Sequence, residues 1–131
     1  MDGVDLVYRW FDAWNSGDVD AFADLFATDA EVIPDPGWMD DGPVAGRLAI
    51  RAWYQGLLAS WEDRNSVALR ELFRADGDVV SRFAWVLRSK HNGIEVAFDV
   101  TVINGIADGK IVRQEYYFDH ADALRAVGLS E

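Results

Sequence analysis

Residues 15–32, NSGDVDAFADLFATDAEV, constrain the fold most, because they end one helix, begin a second and lead into a strand. Gly17 can adopt the left-handed conformation that commonly ends a helix. The Asp18 side chain can accept a hydrogen bond from the free amides of the next helix. Apolar residues at helical spacing follow, and that spacing then ends. The sequence therefore predicts an extended segment that starts near Ala30 and leads to Asp35, the first carboxylate we consider for chemistry.

Two longer helices are predicted from apolar residues at helical spacing. Apolar residues at positions 4, 7, 11 and 14 predict one helix over residues 4–14, and a longer set predicts another over residues 46–62. Between the first strand and that helix, PDPGWMDDGPVAG predicts a long loop. Loops of that length in a compact domain are often lids or binding loops, and the alternative is an irregular crossover packed by Trp38.

The second half of the chain predicts a β-meander. Turn-forming segments at residues 76–78, 92–93 and 108–109 separate four antiparallel strands. Asp119 can then cap a short helix that Gly128 ends. Three N-terminal helices, one strand, the meander and this last turn make an α+β arrangement in which a curved antiparallel or mixed sheet wraps around the helices as a cone. We expect a single domain over residues 1–131 with a ligand inside it.

Alternation along the strands predicts which side chains face the helices. On the second, third and last strands of the meander, the residues predicted to point inward are Phe83, Trp85 and Leu87, then Asp99, Thr101 and Ile103, then Gln114, Tyr116 and Phe118.

The composition limits the partners. A net charge of -11 and a pI near 4.4 repel phosphate backbones and anionic lipid headgroups, so neither nucleic acid nor a membrane surface is expected. The chain has no cysteine, two distant histidines and no phosphate-binding or dinucleotide-binding motif, so we expect no metal and no cofactor. Acidic residues at its start and the lack of a long apolar run favour a cytoplasmic protein.

The order of elements, together with NSGDVDAFADLFATDAEV, GRLAIRAWY and DGKIVRQEYYFDHADALRAVGL, resembles the nuclear transport factor 2-like superfamily and more narrowly its SnoaL-like branch. The resemblance covers nearly the whole chain and implies a cystatin-like or ketosteroid isomerase-like α+β barrel. The superfamily contains ketosteroid isomerases, polyketide cyclases, limonene epoxide hydrolases and scytalone dehydratases, beside non-catalytic pocket proteins. Function must therefore be argued from the site.

The resemblance to the isomerases implies roles for three positions. Their proton-shuttling aspartate precedes a proline just after the first strand, where Asp35 stands if one residue is inserted. Their second aspartate, which is neutral and donates to the oxyanion, corresponds to Asp99. The tyrosine that partners it is replaced by Trp10, whose indole N–H is a much weaker acid.

The resemblance to the other enzymes implies less. The catalytic aspartate on the last strand of the cyclases and epoxide hydrolases aligns with Tyr116, whose phenol could orient a ligand oxygen. The hydrolases' arginine and aspartate align with Phe83 and Trp85, and the two histidines, His91 and His120, lie at a hairpin tip and after the last strand. Neither cyclase nor epoxide hydrolase chemistry is therefore expected in its known form, and dehydratase-like catalysis by paired histidines is not expected either.

Three residues are the catalytic candidates: Asp35, Asp99 and Tyr116. A carboxylate at the mouth of an aromatic cavity would lose part of its hydration, which suits a proton acceptor near neutral pH. The residues predicted to line the ligand site are Trp10, Trp14, Trp38, Trp53, Phe83, Trp85, Gln114 and Phe118.

Two functions fit these residues. The first is a cofactor-free isomerase, cyclase or lyase that acts on a small apolar substrate, polycyclic ones included, with Asp35 as proton shuttle. The second is a non-catalytic module in which the same aromatic residues bind a ligand or support a dimer. A homodimer through the outer sheet face is expected, because apolar side chains are predicted there: Ala84, Val86, Phe98, Val100, Val102 and Ile111.

Overall fold

A computed structural model describes residues 3–35, 43–60, 64–88 and 92–128 of the chain. Within these ranges there are four helices: α1 (Gly3–Ser16), α2 (Val19–Asp24), α3 (Arg47–Ser60) and α4 (His120–Ala126). The strands are β1 (Phe26–Ile33), β2 (Val44–Ala45), β3 (Arg64–Ala75), β4 (Asp78–Arg88), β5 (Glu95–Ala107) and β6 (Lys110–Tyr117). The predicted α+β class is confirmed.

The transition from α1 to β1 follows the predicted chemistry. Gly17 has a positive φ of 73° after α1, and the Asp18 side chain accepts a hydrogen bond of 3.0 Å from the backbone N–H of Ala21. The strand begins at Phe26, four residues before the predicted start. Because the backbone N–H of Ile111 donates to the carbonyl of Leu25 at 2.9 Å, the chain joins the sheet as soon as α2 ends.

The strands form one curved, mixed sheet in the order β2-β1-β6-β5-β4-β3. The four strands of the meander are antiparallel as predicted, and β1 pairs with β6 in parallel. The short strand β2 was not predicted; it pairs with β1 through Glu31 and Val32. This topology places the C-terminal ends of β1 and β6 side by side.

The concave face of the sheet packs against α1, α2 and α3 around an aromatic core. Trp10, Trp14 and Phe22 are almost fully buried there, and Phe22 stacks on Tyr54 with 4.2 Å between ring centroids. On β4, the predicted inward residues Phe83, Trp85 and Leu87 are all buried in this core.

The facing predicted for β5 is wrong. Phe98 is opposite Trp85 and Val100 is opposite Phe83, so Phe98, Val100 and Val102 face the core and Asp99 faces outward. The error has a physical cause, because α4 covers part of the outer face and leaves every residue from Val100 to Gly105 buried. A strand that is buried on both faces carries no alternation from which to read its phase.

The outer face is therefore less apolar than predicted. Val100, Val102 and Ile111 belong to the inner core and Phe98 packs against it, while Ala84 and Val86 remain outside. A second, smaller cluster lies on the outer face, where Ala75, Val80 and Ile103 pack with Tyr117 and Val127. That cluster is where the end of α4 contacts the sheet.

Candidate functional site

A small cavity, with a free volume of about 10 Å³, lies where the ends of β1 and β6 meet α3 and β4. Its lining is almost entirely apolar and consists of Val32, Pro34, Asp35, Trp53, Trp85, Tyr116 and Phe118. Five of these seven residues were predicted site residues. A volume of about 10 Å³ is room for about one water molecule, far below the ~300–1,000 Å³ of common ligand pockets, so a ligand would need the lining side chains to move apart.

Asp35 is the carboxylate of this cavity. It lies two residues after the end of β1, and its Oδ2 accepts a hydrogen bond of 3.0 Å from the backbone N–H of Phe118, the residue that follows β6. Because β1 and β6 run in parallel, the two strand ends hold the carboxylate in place. The side chain is half-buried, so it borders both the aromatic lining and solvent.

Trp53 supplies a hydrogen-bond donor. Its indole Nε1 is buried and has no hydrogen-bond partner among the described residues. The ring of Trp53 meets the ring of Tyr116 at 79° with 6.1 Å between centroids, so the two rings form a corner of the cavity. A buried N–H without a partner has lost its hydrogen bonds to water and gained none in the protein, so it favours an acceptor on a ligand that can reach it.

Tyr116 belongs to a chain of buried polar groups. Its hydroxyl donates to Oε1 of Gln114 at 3.2 Å, and Nε2 of Gln114 donates to Oδ1 of Asn104 at 2.8 Å. Asn104 in turn donates through Nδ2 to the backbone carbonyl of Val79 at 2.9 Å. Burial raises the pKa of the Tyr116 phenol well above its ordinary range, so the phenol is neutral at physiological pH.

Asp99 is not at the cavity. It lies on the outer face of β5 and forms an ion pair with Arg82, with 2.6 Å between Oδ2 and Nη2. The hydrogen bond from Arg82 lowers the pKa of the Asp99 carboxyl, so this group is an anion rather than the neutral donor that the resemblance implied. The prediction that Asp99 faces the ligand is wrong because the phase of β5 was misread.

The other predicted wall residues lie deeper or outside the described chain. Trp10, Trp14 and Phe83 pack in the aromatic core and are absent from the lining of the cavity, and Trp14 contacts the lining rings of Trp53 and Trp85 from behind. Gln114 is buried beneath Tyr116. Trp38 lies outside the described residues. The indole Nε1 of Trp10 is also buried without a partner among the described residues.

A wider groove lies elsewhere, between α1, α2 and the β5–β6 turn. Its rim carries the exposed side chains of Arg9, Asp12 and Asp24, and it contains none of the predicted site residues. This groove is larger, at about 530 Å³, but its lining contains no aromatic side chain, whereas four aromatic rings border the cavity beside Asp35. We therefore assign the candidate site to the cavity.

Metal and membrane features are limited. The described residues contain no cluster of three histidine, cysteine or acidic side chains that could hold a metal ion. His120 contacts Thr101, with 2.8 Å between Nδ1 and Oγ1, on the outer face, and His91 lies outside the described residues. No helix in the described ranges is both long and apolar enough to cross a bilayer.

The fold and its cavity define the class of ketosteroid isomerase-like, nuclear transport factor 2-like α+β domains. The chain belongs to the SnoaL-like domain family, whose model matches residues 7–114. The resemblance read from the sequence is thereby confirmed. No curated protein matches the chain.

Solved structures from three organisms share the fold. A protein with a ketosteroid isomerase-like fold from Catenulispora acidiphila, in complex with trimethylamine, matches with TM-score 0.78 at 20% identity over 98% of this chain and 95% of its own. A protein of unknown function from Burkholderia pseudomallei, described as nuclear transport factor 2-like, matches with TM-score 0.79 at 17% identity over 97% and 98%. IdmH, a proposed polyketide cyclase from Streptomyces antibioticus, matches with TM-score 0.77 at 18% identity over 98% and 100%.

Two features of the site were missed by sequence reasoning. Trp53 was predicted as a wall, but the unpartnered indole donor is visible only from three-dimensional packing. Val32 and Pro34 complete the lining because β1 continues beside β6, a parallel pairing that no turn motif announces.

Proposed function

We propose that this protein binds a small, largely apolar molecule in the cavity beside Asp35, and that Asp35 moves a proton on it. The proposal is based on the position of the Asp35 carboxylate, which lies among aromatic side chains and accepts a hydrogen bond from the N–H of Phe118. A carboxylate in such surroundings is a suitable general base for a carbon acid. The reaction class would be a cofactor-free isomerisation, cyclisation or elimination, and IdmH is a relative proposed to be a polyketide cyclase.

The proton transfer needs a donor opposite the base. Asp35 would take a proton from a carbon next to a carbonyl group, which leaves an enolate on the ligand. The Nε1–H of Trp53 is buried and unpartnered among the described residues, so it is suited to donate to the enolate oxygen. If the ligand carries a double bond that conjugates with the enolate, the proton then returns from Asp35 to the far carbon of the dienolate, which is an isomerisation. In a cyclisation, the enolate carbon attacks a second carbonyl and Asp35 gives its proton to the alkoxide that forms.

The size of the cavity limits the ligand. Its free volume of about 10 Å³ holds no ring, so a ligand ring would enter only as the lining side chains move apart, or would lie at the mouth. A larger polycyclic substrate would have to extend through the mouth at Asp35. We therefore use 1-indanone, a bicyclic ketone with exchangeable protons next to its carbonyl, as the probe.

The test is deuterium exchange into 1-indanone, followed by proton NMR in D2O near neutral pD. We expect the protein to accelerate exchange at the carbon next to the carbonyl, and Asp35→Asn to lose most of it, since general bases contribute roughly 100-fold to 10,000-fold. Asp99→Asn is the matched control, because Asp99 lies on the outer face. Equal rates for the wild type and Asp35→Asn would exclude Asp35 as the base.

A non-catalytic function is the alternative, and one observation favours it. The carboxylate of Asp35 already joins the ends of β1 and β6 through the N–H of Phe118, which is a structural role. In that case 1-indanone would quench tryptophan fluorescence on binding without any exchange above the buffer rate. Binding without exchange therefore selects the alternative.

We also propose a homodimer that pairs through the outer face of the sheet. Ala84 and Val86 lie on that face of β4, and exposed Ala97 is opposite Val86. Ion pairs flank these small side chains on both sides: Arg82–Asp99 and Arg88–Glu95. In a dimer with two-fold symmetry, this patch on one subunit would contact the same patch on the other. Sedimentation at micromolar concentration should show a dimer that Val86→Lys dissociates, and a monomeric wild type would refute the pairing.

A further inference from the structure

The groove between α1, α2 and the β5–β6 turn has room for a small molecule. Its volume of about 530 Å³ lies within the ~300–1,000 Å³ of common ligand pockets. The apolar part of its lining consists of Leu6, Ala13, Ala21 and Leu25, of which the first two are buried. The groove has no lining residue in common with the cavity beside Asp35. It therefore offers the apolar body of a ligand a separate surface on which to lie.

Four charged side chains, two of each sign, line the same groove. Arg9 and Asp12 lie one turn apart on α1, while the end of α2 and the start of β6 contribute Asp24 and Lys110. Within the described part of the chain, none of the four forms an ion pair, whereas Arg82 on the outer face of the sheet is paired with a carboxylate. The four charges are therefore available to a ligand in the groove.

The two cations suit a carboxylate group. Nζ of Lys110 donates to the backbone carbonyl of Asp24 at 2.5 Å, which fixes the position of the ammonium group. An ammonium group has three N–H donors, so two remain for a ligand. The guanidinium of Arg9 is exposed and presents a planar fork of donors that matches the two oxygens of a carboxylate.

The balance of charge decides which class of ligand fits. A ligand with only a carboxylate would be repelled by Asp12, Asp24 and the net charge of -11 on the chain. A ligand with only an ammonium group would be repelled by Arg9 and Lys110, and a neutral ligand would gain nothing from the four charges. A zwitterion can place its carboxylate against a cation and its ammonium group against an aspartate.

We infer that this groove is a second binding site, and that its ligand is a small zwitterion with an apolar body, which is the chemistry of an apolar α-amino acid. Arg9 and Lys110 bind the carboxylate, Asp12 and Asp24 bind the ammonium group, and the apolar body lies on the surface that includes Leu25. The inference is independent of the proposed function, because it uses no residue of the cavity beside Asp35.

The test compares three probes that share a 4-fluorophenyl ring, by 19F NMR titration near neutral pH. 4-Fluoro-L-phenylalanine carries both charges, 3-(4-fluorophenyl)propanoate carries only the carboxylate, and 2-(4-fluorophenyl)ethylamine carries only the ammonium group. We expect the zwitterion to bind about fivefold more tightly than either of the others, the upper range for one exposed ion pair. If either single-charge probe binds as tightly as the zwitterion, or if none of the three binds, the inference is wrong.

Arg9→Gln tests the carboxylate contact. Arg9 is exposed, so the variant should keep the fold, and the advantage of the zwitterion over the amine should fall towards unity. Arg70→Gln is the matched control, because it removes the same charge from an exposed position outside the groove, and it should preserve the advantage. An unchanged advantage in Arg9→Gln, or an equal loss in both variants, would contradict the inference.

Backbone amide chemical shifts locate the bound zwitterion. Two-dimensional 15N NMR should show changes at Ala21, Leu25 and Gly109, which line the groove, and none at Val32 or Phe118, which line the cavity. Changes confined to the cavity residues would place the probe at the other site and overturn the inference. The proposed role of Asp35 is tested separately, by the proton exchange of 1-indanone.

Discussion

The side-chain amide of Asn15 pairs with both backbone groups of Val67. Nδ2 of Asn15 donates to the Val67 carbonyl at 2.9 Å, and Oδ1 accepts from the Val67 N–H at 2.9 Å. β3 is the last strand in the described part of the sheet, so no further strand among the described residues pairs with Val67. The amide takes the place of a strand neighbour and fixes the end of α1 to the edge of the sheet.

Replacing this amide should weaken the domain. Asn15→Ala removes two hydrogen bonds, and we expect the free energy of unfolding to fall by about 1–2 kcal/mol, since each typical bond contributes ~0.5–1.5 kcal/mol. Urea denaturation monitored by tryptophan fluorescence measures the change. Asp12→Ala, an exposed position on the same helix, is the control and should change stability by less than about 0.5 kcal/mol. Equal losses in the two variants would contradict this account.

Tyr54 should make the fold sensitive to alkali. Its hydroxyl donates to the carbonyls of Ala13 and Trp14 at the end of α1, at 3.2 and 2.7 Å. Burial raises the pKa of Tyr54 to about 12. Above the unfolded value of about 10, the unfolded chain releases this proton before the folded chain does, so stability should fall as pH rises from 10 towards 12.

Tyr54→Phe keeps the stacking on Phe22 and removes the hydroxyl. We expect it to cost about 1–2 kcal/mol near neutral pH, because the carbonyls of Ala13 and Trp14 lose the buried donor that they share. The variant should also lose less stability than the wild type between pH 10 and 12. Urea denaturation at pH 8 and pH 11 separates the two effects, with exposed Tyr8→Phe as the control. Parallel pH curves for Tyr54→Phe and the wild type would refute the assignment.

How far the sequence predicts this fold depends on local chemistry. The predictions for Gly17, Asp18 and Asp119 are confirmed, because each depends only on local backbone conformation or helix capping. β4 is solvated on one face, so its alternation correctly places Phe83 and Trp85 in the core. β5 is buried on both faces between Val100 and Gly105, so its sequence has no alternation that shows which residues face the core. Asp99 was therefore assigned to the wrong face.

The candidate site was predictable to a similar extent. Asp35 and Tyr116 follow from strand position, because each is fixed by its own strand. The unpartnered donor of Trp53 and the hydrogen-bond chain of Tyr116 depend on contacts between residues that are distant in sequence, such as Asn104 and the backbone carbonyl of Val79. Such relations exist only once the strands are in register.

The ion pair between Arg82 and Asp99 should contribute little to the free energy of unfolding, and only at pH values where Asp99 is ionised. The hydrogen bond from Arg82 lowers the pKa of Asp99 in the folded state, so the contribution is present above the unfolded value of ~3.9 and is lost as pH falls through the folded value. Both side chains are partly exposed, at 34% and 54%, so solvent screens the pair. We expect a coupling energy of at most about 1 kcal/mol at pH 7.

A double-mutant cycle with Arg82→Gln and Asp99→Asn measures that coupling. The coupling should shrink in 1 M salt, where the Debye length is only ~3 Å, and vanish at a pH low enough to protonate Asp99. A coupling that persists unchanged at low pH and high salt would show that the pair is held by something other than charge. Neither single variant should change ligand binding, since the pair lies on the outer face of the sheet.

Trp85 should set the upper size of the ligand. It lines the cavity, is 2% exposed and meets Trp14 edge to face with 5.5 Å between ring centroids. Trp85→Phe shortens this wall, and the space released should favour the larger of two ketones. We expect the affinity for 9-fluorenone relative to 1-indanone to rise about tenfold, because the added ring buries apolar surface at ~25 cal/mol per Å². Fluorescence or NMR titration of both ketones gives the ratio.

Trp10→Phe is the matched control, because Trp10 is equally buried but packs in the core behind the cavity. Both substitutions remove the same atoms from the interior, and each should lower the free energy of unfolding by about 1–3 kcal/mol. Only Trp85→Phe should change the preference between the two ketones. A similar shift in Trp10→Phe would mean that ligands enter the aromatic core itself, and an unchanged ratio in Trp85→Phe would place the ligand away from this wall.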